Sequence, residues 1–135
     1  MEPLRRGVVG VIERDGRLLV IQRSLTVVAP GAFCFPGGGI ELDESEEGAL
    51  VRELREELRV DVCPVRKIWQ SVTPWNVQLA WWLAELDDAQ SIDPNEDEVA
   101  SFAWHTPVAM AQLPGLLESN RHFLIALDRR EFSFT

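Results

Sequence analysis

The stretch GGIELDESEEGALVRELREELRV, residues 38–60, holds Gly38, Glu44, Arg52, Glu53, Leu54, Glu56 and Glu57 in one register. Five residues separate Gly38 from Glu44 and seven separate Glu44 from Arg52, after which Arg-Glu-Leu-Arg-Glu-Glu runs unbroken. An α-helix turns about 100° per residue, so Glu53, Glu56 and Glu57 share one side as an acidic cluster. Leu50, Val51, Leu54 and Leu58 fall on an adjoining arc, which lets the helix bury one stripe and present the other to a cleft. Like charges three and four apart destabilise a helix by roughly a few tenths of a kcal/mol per pair, and a bound cation would relieve them. Hard divalent ions such as Mg²⁺ take oxygen ligands, few of them from protein, and fill the rest of the shell with water and phosphate oxygens. The stretch thus reads as a cation site facing a diphosphate, with Glu53, Glu56 and Glu57 as ligands.

The start of that helix is legible. Ser45 is the expected N-cap, with Glu46 and Glu47 in the first turn where the helix dipole favours negative charge. Phe35-Pro36-Gly37-Gly38-Gly39 ends a short strand and lets the backbone approach what the helix binds, so the Gly37 carbonyl is expected in the metal shell. An acidic run on a helix is more often a solvated face. Six polar matches at these intervals nevertheless arise by chance in such a chain with odds on the order of one in ten thousand.

The residues resemble the signature of the Nudix hydrolases, and among them the compact MutT-like branch. The resemblance implies an α/β/α sandwich with a mixed sheet and metal-dependent cleavage of a pyrophosphate bond in a nucleoside diphosphate derivative, with Mg²⁺ or Mn²⁺ as cofactor. A nucleoside triphosphate, oxidised and modified ones included, is the expected substrate. ADP-ribose or a nucleotide sugar is the alternative, and a non-hydrolytic nucleotide sensor the second. The resemblance also implies that Arg52 braces the site through Glu44, and that Glu98, six residues before Trp104, is a further ligand or the base. Glu44 ranks behind Glu98 as base. Arg23, Phe35 and Asn120 are the expected substrate contacts: Arg23 and Asn120 by resemblance, Phe35 as a ring that can stack on a base. For Asn120 a helix N-cap is the structural alternative. One position departs from the signature: Arg59 stands where the family has a C-capping glycine.

The rest of the chain bounds these expectations. With 135 residues it has room for one core, so a single domain over residues 1–135 is expected. No apolar stretch at Met1-Glu2-Pro3-Leu4-Arg5-Arg6 suits a signal peptide and no later one suits a membrane span, which suggests a cytoplasmic protein without membrane contact. A net charge of −9 argues against a nucleic acid polymer as partner and leaves a small nucleotide. Either a monomer or a homodimer suits such a chain. Cys34 and Cys63 form no disulfide or zinc pattern and read as buried thiols.

The element order reads as α+β. Strands are expected at residues 8–13 and 18–22 around the turn Arg14-Asp15-Gly16, then at 33–35, 65–72, 77–86 and 102–104. Short and closing helices are expected at 107–113 and 121–130. Most of Trp69, Trp75, Trp81 and Trp82 should be core, and Trp81 and Trp82, adjacent on a strand, should face opposite sides. Pro74 lies near the place of a proline in ADP-ribose-hydrolysing members, and the chain has no tyrosine.

Overall fold

The computed structural model describes residues 5–135; residues 1–4, part of the terminus read for a signal, lie outside it. Among the described residues, eight strands and three helices follow one another as β1 (Arg5–Val11), β2 (Glu13–Arg14), β3 (Arg17–Arg23), β4 (Phe33–Cys34), β5 (Gly37–Gly39), α1 (Glu46–Leu58), β6 (Cys63–Val72), β7 (Val77–Glu85), β8 (Val99–His105), α2 (Pro107–Ala111) and α3 (Glu118–Asp128). One sheet has the order β5-β1-β7-β6 and is mixed, because β1 runs parallel to β7 and antiparallel to β5. In the other, β3 pairs with β2, β4 and β8, all antiparallel.

Period-two alternation explains the layers. On β3, Leu19 and Ile21 join a core with Leu50, Leu54 and Leu58 of α1, while Leu18 and Val20 join a second core with Phe123 and Leu124 of α3. Val8 and Val9 on β1 divide in the same way. Each strand therefore feeds both faces, and the helices cover them as an α/β/α sandwich. Burying each of the three α1 leucines contributes roughly 1.5–3 kcal/mol. Gly10 lets α1 come close, since a Cβ there would lie 2.9 Å from Leu50 Cδ1.

Several expectations needed correction. The residues around Asp15-Gly16 do not join two long strands of one sheet. The chain leaves the first sheet after Val11, and the positive-φ turn at Asp15 and Gly16 connects only the two-residue β2 to β3. Strand β8 begins at Val99 and α3 at Glu118, three residues earlier than expected in each case. Cys34 is buried, but Cys63 is exposed, because it opens β6 on the outer edge of its sheet. Trp81 is fully buried against Phe123 and Trp82 packs on the α1 side, whereas Trp75 is exposed. Among the described residues no helix is long and apolar enough to cross a membrane.

Candidate active site

Helix α1 is capped as expected: Ser45 Oγ accepts from Gly48 N at 3.0 Å. Its first turn is fastened to the neighbouring sheet by Glu46, which accepts from Trp82 Nε1 at 2.9 Å and pairs with Arg6 and Lys67 at 3.3 Å each. At the far end Arg59 keeps the left-handed conformation of the glycine it replaces (φ 53°, ψ 40°). That geometry costs about 1 kcal/mol for a residue with a Cβ. Arg59 Nη1 donates to the carbonyls of Asp93 and Pro94 at 3.0 and 2.9 Å, and Asp93 N and Asn95 N donate to Leu58 O and Glu57 O. The helix end thereby clamps the loop that leads to Glu98.

The acidic face of α1 lies against β5. Glu57 is almost fully buried, and one of its oxygens accepts from Gly37 N at 2.8 Å. Gly37 has φ 152°, and a Cβ on it would collide with the Val8 carbonyl. A Cβ on Gly38 would collide with the Glu53 carboxylate, so the glycine pair makes room for the acidic face. Burial pushes the Glu57 carboxyl up to about 8, the Gly37 bond opposes this, and the nearby charges of Glu53 and Glu98 add to it. Burial likewise raises Glu53, against the lowering influence of Arg52.

Arg52 forms a fork with Glu44, with Nε to Oε2 at 2.7 Å and Nη2 to Oε1 at 2.9 Å, and Nη2 also donates to Gly39 O at 2.9 Å. Its Nη1 donates to Glu53 at 3.0 Å and Glu56 at 3.2 Å. Hydrogen bonding to Arg52 drives the Glu44 carboxyl down to about 2. Glu98 comes from a different element. Its carbonyl accepts from Ser24 N at 3.0 Å, and its Oε2 is buried without a hydrogen-bond partner. A buried carboxylate oxygen without a donor is costly unless a cation meets it. Among the described residues no three such side chains close on one point, and Arg52 holds two of them. The donor set is nonetheless all carboxylate oxygen with an orphaned acceptor, which suits a hard divalent ion.

Beside this face a cavity of about 300 Å³ opens between β1, β5 and the start of α3, lined among others by Arg23, Phe35 and Asn120. Arg23 Nε donates to Val28 O at 2.7 Å. The Phe35 ring stands edge-on to Trp81 and Phe123 and is 3% exposed, so it serves as core and is no free stacking face. Asn120 is not a helix N-cap. It is the third residue of α3, whose cap position is Leu117 without a side-chain bond, and its Oδ1 accepts from Phe35 N at 2.9 Å. The sequence reading had missed Arg5, Cys34 and Ser119, which also line this cavity. Only Ser119, next to Asn120, carried any signal of it.

The NUDIX domain family matches residues 1–127. A CTP pyrophosphohydrolase of Escherichia coli is 50% identical over 54 residues, 40% of this chain and 40% of that protein. An ADP-ribose pyrophosphatase of Methanocaldococcus jannaschii is 44% identical over 48 residues, 36% of this chain and 28% of that protein. The chain thus matches well under two thirds of the length of either relative. The crystal structure of a MutT protein from Methanosarcina mazei superposes with a TM-score of 0.78 over 96% of both chains at 19% identity, and so shares the fold. With the family model matched over residues 1–127 and the signature on α1 in this architecture, the chain belongs to the Nudix hydrolase family.

Proposed function

We propose that this chain is a pyrophosphohydrolase of nucleoside triphosphates that works with Mg²⁺ or Mn²⁺. The observation that carries the reading is the unpartnered Oε2 of Glu98 beside the half-buried carboxylate of Glu53 and the buried one of Glu57. Glu53, Glu56, Glu57 and Glu98 would hold the ion, with the Gly37 carbonyl beside them. When bound, such an ion polarises phosphoryl oxygens and lowers the pKa of water.

The remaining steps belong to the protein. Arg52, held by Glu44, orients Glu53 and Glu56. Glu44 acts as a brace and not as the base, because a carboxyl held near 2 by a charged fork is a weak proton acceptor. With Oε2 of Glu98 turned to the ion, its other carboxylate oxygen takes the proton of the attacking water. Water adds at one phosphorus and the bond to the bridging oxygen breaks, which gives two phosphate products. Arg23 and Asn120 line the cavity that receives the nucleoside, with Phe35 as its inner wall.

The relative that hydrolyses CTP supports a triphosphate, and the ADP-ribose pyrophosphatase supports ADP-ribose as the second reading. Phosphate and pyrophosphate release across nucleoside triphosphates, 8-oxo-dGTP, ADP-ribose and nucleotide sugars, with Glu56→Gln as control, separates them. Turnover of a triphosphate that disappears in the control is expected. Turnover of ADP-ribose alone would replace the first reading with the second.

A further inference from the structure

Glu98 is the carboxylate of the proposed ion site that α1 does not carry, and among the described residues its buried Oε2 has no hydrogen-bond partner. Its place is therefore set by its backbone. On one flank that backbone is tied to β3 and the loop after it: Ser24 N donates to Glu98 O at 3.0 Å and Thr26 Oγ1 to Asp97 O at 3.3 Å. The other flank runs through Asn95. Its carbonyl accepts from Glu98 N at 2.9 Å and Val99 N at 2.8 Å, its Oδ1 accepts from Asp97 N at 3.2 Å, and its own N donates to Glu57 O at 2.8 Å. One residue thus links the main chain of Glu98 to that of Glu57. Arg59 holds the two residues before this link, through Nη1 to Asp93 O at 3.0 Å and Pro94 O at 2.9 Å. Its ion pair with Asp93 Oδ2, at 3.5 Å, is exposed and contributes little, whereas hydrogen bonds from a charged donor are the stronger kind. To make them, Arg59 keeps a left-handed backbone that suits a glycine better.

We infer, resting on the ion-site reading above, that Arg59 is a positioning residue: by fixing the carbonyls of Asp93 and Pro94 it holds Glu98 in register with Glu57, and so tightens the binding of a divalent ion that it does not touch. Side chains that orient ligands in this way commonly contribute about ten- to a hundredfold in metal affinity. Charge alone predicts the opposite sign. Removing a cation from a chain of net charge −9 should strengthen the binding of another cation. The direction of the change therefore separates positioning from electrostatics.

The test is the dissociation constant of the full chain for Mn²⁺, without nucleotide, by calorimetry on wild type, Arg59→Gly, Glu98→Gln and the double variant. Arg59→Gly supplies the residue that the left-handed turn prefers, so the fold is kept while the clamp is lost. It should weaken Mn²⁺ binding by roughly tenfold. In the Glu98→Gln background the same change should alter binding by less than about twofold, because the carboxylate that it positions is already gone. Arg59→Lys, which keeps a donor for these carbonyls, should bind more tightly than Arg59→Gly. Unchanged or tighter binding by Arg59→Gly overturns the inference. So does an equal loss in both backgrounds, which a general loosening of the helix end would produce, and so does Arg59→Lys as weak as Arg59→Gly. Should the double variant fail to fold, the three forms at position 59 decide alone. Wild type that binds no Mn²⁺, or Glu98→Gln that binds it as tightly as wild type, overturns the ion-site reading as well. Weakened binding in Glu98→Gln with none in Arg59→Gly overturns only this inference.

Discussion

Glu57 and Glu44, two carboxylates of the signature, are driven in opposite directions by their surroundings. Glu57 is raised to about 8 chiefly by burial, so in the metal-free protein at neutral pH it is mostly protonated. A metal ion binds only the deprotonated form. Mn²⁺ binding near pH 7 should therefore release about one proton per chain, read by calorimetry in buffers of different ionisation enthalpy. Glu57→Gln should abolish that release, and an unchanged release would place the proton elsewhere. Glu44 is lowered to about 2 chiefly by its bond to Arg52. A carboxyl depressed in the folded state contributes stability above its unfolded value of 4.5 and loses it as the pH falls towards about 2. Over that window the melting temperature of Glu44→Gln should fall less steeply than that of the wild type. Parallel slopes would mean that the Arg52–Glu44 fork adds nothing to folding.

At the scale of elements, the end of α1 shows how the chain absorbs its departure from the signature. The family glycine there tolerates a left-handed turn, and Arg59 accepts the same turn at a cost of about 1 kcal/mol. In return its guanidinium reaches the carbonyls of Asp93 and Pro94. Arg59→Gly removes the strain and the clamp together, so global stability should change by less than about 1 kcal/mol. The amides of Asp93 and Asn95, which bond to the helix end, should nevertheless exchange faster with deuterium. Unchanged exchange there would show that the main-chain bonds hold the loop unaided. The Ser45 cap and the acidic register of α1 were legible because they are local and periodic. The identity of the α3 cap was not, since Asn120 is drawn inward by a backbone amide 85 residues away in sequence. Cys63 was misplaced for a similar reason: whether a strand lies at an edge is fixed by pairing order, which no local pattern encodes.

For the whole molecule, the order of strands and helices and the resemblance carried by α1 were enough to foresee a sheet layer covered on both sides. The division into two sheets, with β1 handing over to β2 at Ile12, was not visible, because the apolar run Val8 to Ile12 continues through the break. The same division brings the site together: β5 and α1 supply the glycines and three glutamates, and the second sheet supplies Arg23 and the loop of Glu98. The most direct test of that assembly is pyrophosphate release from a nucleoside triphosphate as a function of Mg²⁺, compared among wild type, Glu53→Gln and Glu98→Gln. Loss of turnover by roughly a hundredfold or more in both variants, with folding retained, is the expected result. Wild-type turnover in either variant would contradict a metal-dependent site shared between α1 and the Glu98 loop.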